Sequence, residues 1–249
     1  MFSPYDFNYS WSITHGHLVP LALAIALSAL TIWRGWSWWI PAVCGLVAVW
    51  ALAGLYITLV VLGINRPLTL PTERFLASGT GHVLDAGAGS GRGGIGVLLA
   101  RPRAEVTALD LYDGYWGIDD NTPERFMANA RIAGMAGRAR AVRGDMRTLD
   151  FSDGTFDAVM SVAAIDHLRR SDIGTTLSGF ARVLKPRGEI LVVVVNPDWI
   201  TMIASPHAIA HHRSWDPAEW RSMLDAAGFQ VEEDGRQPGA LYFYGRKRP

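Results

Sequence analysis

Charge is spread so unevenly along this chain that it separates two parts suited to different surroundings. Of 23 Lys and Arg and 23 Asp and Glu in 249 residues, only Asp6 and Arg34 precede Asn65. Two runs in that stretch carry no charge, LVPLALAIALSALTIW at 18–33 and WWIPAVCGLVAVWALAGLYITLVVLG at 38–63. A helix with no polar stripe needs apolar surroundings on every side. At about 1.5 Å per residue the second run covers a hydrocarbon core of about 30 Å, whereas the first is short unless it borrows polar neighbours such as His15 and His17. Only Arg34-Gly35-Trp36-Ser37 separates them. Residues 1–64 are therefore expected to form a tight antiparallel transmembrane hairpin. Trp33, Trp36, Trp38 and Trp39 would mark one interface, and Phe2, Tyr5, Phe7, Tyr9 and Trp11 the other. Residues 1–17 contain no Lys or Arg, unlike the start of a secretory leader. Arg66 and Arg74 follow the second run, which predicts a membrane protein of two spans whose C-terminal domain is cytoplasmic, with the lipid bilayer as a partner.

The remainder carries the charge of an ordinary soluble domain. Because positive and negative residues balance, there is no basic surplus for a phosphate backbone, and no nucleic-acid partner is expected. The single cysteine, Cys44, cannot form an internal disulfide or a Cys-rich zinc site. Residues 65–81 read as a linker rich in Pro, Thr, Ser and Gly, and from 82 to 249 apolar runs alternate with helical stretches, which indicates an α/β fold. Strands are expected near 82–86, 104–110, 139–143, 156–162, 189–196, 229–233 and 240–246, with helices near 92–100, 122–135, 171–184 and 217–227. The last helix is the best marked. Asp216 can cap it, Pro217 suits its first position, Glu219 stands at the capping-box position, and Trp215 with Trp220 can form a hydrophobic staple. The apolar run at 190–195 does not alternate, as in a central strand covered on both faces.

His82 to Gly96 reads HVLDAGAGSGRGGIG, a strand ending in an acid, then Gly87, Gly89 and Gly91, then a helix. Side chains at these glycines would collide with a ligand lying on the backbone, and the helix N-terminus offers unpaired N–H groups. Gly89, Gly91 and Gly94 also satisfy the G-x-G-x-x-G of dinucleotide enzymes, which leaves a nicotinamide cofactor as an alternative. Together with VTALDLYD at 106–113, Gly144-Asp145-Met146, FDAVMSVAAIDHL at 156–168 and FARVLKPRGEILVVVV at 180–195, the loop resembles the class I S-adenosylmethionine-dependent methyltransferases. The spellings look most like the small-molecule branch that includes quinone-biosynthesis enzymes. The resemblance covers roughly residues 75–249 and leaves the N-terminal runs unexplained. It implies a seven-stranded, mostly parallel Rossmann-like sheet with helices on both faces.

The resemblance also implies site roles. Asp85 would place the methionine amino end of the cofactor, the backbone of Gly87, Ala88, Gly89 and Gly91 would lie against it, and Asp110, followed by Leu111, would hold the ribose. Asp145 would accept from the adenine amine with Met146 lining the ring, and Ser161 and Val162 would complete the methionine pocket. Substrate-side candidates lie where strand ends open: Tyr112, Tyr115 and Trp116, then His207 and His211, with Asp166 and His167 as a candidate base. Residues 196–215 are long for a connection and read as a lid. His207 and His211 have the spacing of a helical zinc pair, but position 208 is Ala where a metalloprotease motif has Glu, and no metal is expected. The expected activity is methyl transfer from S-adenosylmethionine to a small or lipophilic acceptor such as a quinone, an isoprenoid or a lipid head group. A non-catalytic cofactor sensor is the competing class.

Overall fold

The computed structural model describes residues 3–113, 117–204 and 215–249. The first uncharged run forms α2 (Leu18–Trp33), preceded by the short α1 (Trp11–His15), and the second forms α3 (Trp39–Tyr56), which continues through a π turn at Ile57–Val61. Gly35 makes the reversal possible. At φ +62° it occupies the left-handed region, its N–H donates to Ile32 O at 3.2 Å, and the next N–H, of Trp36, donates to Thr31 O at 2.9 Å. That pair of bonds is a Schellman closure, which satisfies carbonyls the helix end leaves open.

The seam between α2 and α3 is made of small residues. Ala24 and Thr31 on one helix and Cys44, Ala51 and Gly54 on the other are buried, while Leu23, Ile25, Ile32, Val43, Leu46 and Val49 point outward. A Cβ on Gly54 would lie 2.2 Å from His17 Nε2, so glycine there leaves room for the His17 ring at the start of α2 to lie against α3. Among the described residues one helix, Trp39–Val61, is long and apolar enough to cross a membrane; α2 is shorter, at 16 residues.

Beyond the hairpin come β1 (Thr80–Ala86), α4 (Arg92–Ala100), β2 (Arg103–Asp110), α5 (Pro123–Ile132), β3 (Ala139–Arg143), β4 (Phe156–Val162), α6 (Arg170–Val183), β5 (Leu184–Val195), α7 (Trp199–Ala204), α8 (Pro217–Ala226), β6 (Phe229–Gln237) and β7 (Ala240–Lys247). The seven strands form one mixed sheet in the order β3-β2-β1-β4-β5-β7-β6, with β7 antiparallel to both its neighbours and the remaining pairs parallel. The run at 190–195 is central and well buried, as expected, although only its β4 neighbour is parallel. Asp216 caps α8 by accepting the Ala218 N–H at 3.0 Å, and the Trp215 and Trp220 rings meet edge to face at 5.2 Å. Glu219 does not close a capping box; it pairs with Arg170 at the start of α6.

Two parts of the chain behave differently from expectation. Tyr5, Phe7 and Tyr9, expected at a membrane interface, belong instead to a strap that lies on the sheet domain. Phe7 is buried and stacks on Tyr5, its carbonyl accepts from Ser90 Oγ at 2.6 Å, and Tyr9 bridges Ile118. Asn129 locks the strap by accepting the Asp6 N–H at 2.9 Å and donating Nδ2 to both Asp6 O and Ser90 O. A local pattern of aromatic residues is the same in a lipid belt and in a packed strap, so only tertiary contacts distinguish them. The segment 65–81 likewise does more than connect. Leu68, Phe75 and Leu76 are buried, and Leu68 O sits 2.2 Å from where a Cβ on Gly96 would lie. Both ends of the hairpin are thus fastened to the sheet domain.

Phe75 is fully buried in the cluster with Val83, Ile95 and Leu98. Phe75→Ala is expected to cost about 3–4 kcal/mol through lost burial and the cavity left behind, measured by denaturant unfolding of the purified protein. A loss below about 1 kcal/mol would show that this segment is not part of the core.

Candidate functional site

The parallel strands deliver their C-terminal ends to one edge of the sheet, where a cavity of about 950 Å³ opens. Its walls include the glycine loop, the ends of β2 and β4, Met146 and Arg147, and His167. They also include Tyr9, Ile13 and residues 60–64 from the base of the hairpin.

The loop glycines earn their place for different reasons. Gly87, Gly89 and Gly91 have φ of +80°, +52° and +102°. A Cβ on Gly87 would meet the Ala164 Cβ at 2.3 Å, and one on Gly91 would meet the Phe126 ring at 2.6 Å, so these two are demanded by the protein's own packing. Gly91 does not line the cavity. Gly89 and Ala88 do, and at Gly89 a Cβ would meet only the tip of Ile118, at 2.8 Å.

Asp110 fastens this loop to β2. Its Oδ2 accepts the Gly89 N–H at 2.8 Å, and its Oδ1 accepts the Tyr112 N–H at 2.8 Å and Asn121 Nδ2 at 3.1 Å. Asp85 is buried, and its Oδ2 has no hydrogen-bond partner. Burial pushes its pKa up to about 7, the Gly94 amide opposing and the nearby Asp110 charge adding to the rise. Asp145 is the opposite case. Arg147 Nε reaches both its oxygens, at 3.0 and 2.9 Å, and that ion pair holds the carboxyl below the usual range.

Leu111, Met146 and Val162 line the cavity. Ser161 does not: it is fully buried and donates Oγ to Ala86 O at 2.8 Å, stitching β4 to β1, because the period of two along a strand sends alternate side chains to opposite faces. Tyr112 turns away as well, buried under the Arg143 guanidinium at 5.8 Å, with its phenol driven upward by burial. Of the candidate base pair, Asp166 accepts the Val195 N–H at 2.9 Å and secures the end of β5, while His167 lines the cavity. Burial lowers the His167 pKa, against an opposing contact with the Ala163 backbone, which favours a neutral ring. Tyr115, Trp116, His207 and His211 lie outside the described residues.

Sequence reasoning passed over Arg92. At the first position of α4 it has the wrong sign for a helix N-terminus, a local conflict that signals a partner elsewhere. That partner is the hairpin: the guanidinium donates to Leu62 O at 2.8 Å and Arg66 O at 3.1 Å, closing the end of the long helix.

The sheet order, the glycine loop and the acids at the ends of β1 and β2 define a Rossmann-like methyltransferase, and comparisons with known proteins agree. The methyltransferase-domain family profile matches residues 83–188. An uncharacterized methyltransferase of Synechocystis is 30% identical over 208 residues, covering 81% of this chain and 88% of that protein. A ubiquinone/menaquinone biosynthesis C-methyltransferase of Syntrophotalea carbinolica is 31% identical, over 53% of this chain and 51% of its own length. Among solved structures, an S-adenosylmethionine-dependent methyltransferase of Methanosarcina mazei shares the fold, with a TM-score of 0.56 at 17% identity over 73% of this chain and 99% of that one. The chain belongs to the S-adenosylmethionine-dependent methyltransferases. S-adenosylmethionine is its cofactor, and the nicotinamide alternative falls.

The residues present fit that cofactor. A buried carboxylate oxygen with no partner at Asp85, beside open backbone at Gly89, suits a cationic amino end. Because Asp85 ionises only as pH rises through about 7, cofactor affinity is expected to strengthen between about pH 6 and 8. Titration calorimetry should show this rise, and Asp85→Asn should flatten it; a flat wild-type profile refutes the role. The same raised pKa means that stability supplied by the neutral carboxyl is present at acid pH and lost as pH rises through about 7. Asp110→Ala is expected to weaken S-adenosylmethionine by about 1.5–3 kcal/mol, through loss of a charged acceptor and of the bond that shapes Gly89. Equal affinity in a folded variant would remove Asp110 from the site.

Proposed function

We propose that this enzyme is a membrane-anchored methyltransferase acting on a small or lipophilic acceptor, with its sheet domain on the cytoplasmic side and two spans in the bilayer. The observation that carries the membrane reading is the inverted seam of the hairpin, with alanine, glycine and threonine inside and leucine, isoleucine and valine outside. Water would reward the opposite arrangement. In lipid, association draws on close backbone approach, and outward aliphatic side chains cost nothing. Both ends of the hairpin are fastened to the sheet domain, so both reach the same side, and Arg66 and Arg74 favour the cytoplasmic one. Likeness to a quinone C-methyltransferase, of which the chain spans about half, supports a lipophilic acceptor.

The cofactor supplies an electrophilic methyl group on a sulfonium, so the protein's work is chiefly to bind and orient. In this reading Asp85, Gly89 and Asp110 hold the cofactor, Leu111, Met146 and Val162 shape its pocket, and Asp145 faces its adenine. His167, neutral and on the cavity wall, accepts the proton of a phenol or amine nucleophile; a carbon nucleophile has less need of it.

Purified full-length protein incubated with methyl-labelled S-adenosylmethionine and membrane lipid extract is expected to place label in an organic-soluble product. Label found only in water-soluble products would overturn the lipophilic acceptor. His167→Gln should lower turnover with cofactor affinity intact if the acceptor is a phenol or amine, and unchanged turnover on such an acceptor would remove His167 as the base.

A further inference from the structure

The helix that is long enough to cross a membrane does not stop short of the active site: its last residues are part of the cavity wall. Val60 and Val61, in the π turn that ends α3, and Leu62 just beyond it line the same cavity as Gly89, Asp110 and His167. Ile13 of α1 lines that cavity as well. This end of the helix is wound as a π turn, with the Leu62 N–H donating five residues back to Ile57 O at 2.8 Å, and such turns recur at functional sites. Val60 and Val61 are nevertheless 46% and 39% exposed, so the same side chains border the cavity and the surface that the hairpin turns to its surroundings. Arg92 holds this end in place through Leu62 O and Arg66 O, with its own backbone in the helix that follows the glycine loop.

Helix α7 extends the border. It packs against α3 and the π turn, Asp198 caps it by accepting the Thr201 N–H at 2.8 Å, and Thr201 lines the cavity. Its Trp199 and Met202 stay exposed, at 66% and 49%, beside the base of the hairpin. A tryptophan at that level suits the head-group zone of a bilayer.

We infer that the acceptor is a membrane-dissolved amphiphile that enters sideways from the bilayer, its hydrocarbon tail held by Ile13, Val60, Val61 and Leu62 and its polar reacting group directed inward to His167. The hairpin is then part of the acceptor site, and these four residues select for a tail. This rests on the membrane reading proposed above. It adds that the route into the cavity runs between α1, the end of α3 and α7, where an apolar tail never crosses water. Placing such a tail against the apolar side chains of Ile13, Val60, Val61 and Leu62 costs little, whereas a route through the polar loops at Asp113 and Asp145 would expose it.

The test uses wild-type protein in phosphatidylcholine vesicles containing a long-chain alcohol that carries a diazirine. After photolysis, adducts are expected on Ile13 and Ile118, which line the cavity, as well as on outward hairpin residues such as Leu23 and Leu46. Adducts confined to the outward residues would overturn the inference and leave the membrane anchor standing. Absence of adducts from Leu23 and Leu46 would overturn the anchor and the inference together. As a second arm, Val61→Trp should reduce label transferred from S-adenosylmethionine to organic-soluble acceptors in lipid extract by about tenfold or more, with cofactor affinity within about twofold of wild type. Ile13→Trp approaches the same opening from α1 and should act alike, whereas Leu46→Trp, far from the cavity, should change neither quantity. Wild-type transfer by both cavity variants would overturn the entry route.

Discussion

The Arg92 guanidinium is the joint on which the two halves of this protein depend. It sits one residue beyond the glycine loop, where a cation is disfavoured by the helix dipole, and it recovers that cost by closing the carbonyls at the end of the long apolar helix. The Arg92 carbonyl in turn accepts from the Leu68 N–H at 2.9 Å, so the chain leaving the hairpin is held on the helix that follows the cofactor loop. Without this joint the C-terminal end of the hairpin would lose its side-chain hydrogen bonds to the helix that follows the cofactor loop. With it, the end of the hairpin becomes a wall of the active-site cavity.

The strap at residues 5–10 makes the connection two-sided. Phe7, Asp6 and Asn8 are tied to Ser90, Asn129 and Asp119. Removing residues 1–64 would therefore uncover buried apolar surface and leave Ser90 Oγ and Asn129 Oδ1 without the partners they have here, so the hairpin cannot be treated as a detachable anchor. Asp110 plays a comparable part on the sheet side, because its carboxylate shapes the loop through the Gly89 amide while facing the cavity. Electrostatics then separate the three acids: Asp85 is pushed up by burial, Asp145 is held down by Arg147, and Asp110 shares backbone amides.

Much of the architecture was legible in the chain because the signals were local. The strands at 139–143 and 156–162 and the helix at 92–100 fall where periodicity and punctuation placed them, and Asp216, Pro217 and the Trp215–Trp220 pair start α8 as their spacing implied. The glycine loop was legible too, since φ values from +52° to +102° can be met at little cost only by glycine. Less legible was the fate of neighbours at the cavity edge. Ser161 and Val162, or Asp166 and His167, are adjacent in sequence, yet one of each pair enters the protein's own hydrogen bonding and the other faces the cavity.

The sequence by itself determined the charge-poor hairpin, the α/β alternation and the cofactor loop, because each follows from composition, period or backbone freedom within a few residues. Only the tertiary structure decided that an aromatic N-terminal segment is a strap and that residues 67–76 belong to the core. It also decided that Arg92 serves the hairpin and that Val60 and Val61 border the active site. These outcomes depend on contacts between residues far apart in the chain, as between Asp6 and Asn129 or Arg92 and Leu62, and no local pattern distinguishes an apolar side chain that will meet lipid from one that will meet a distant loop.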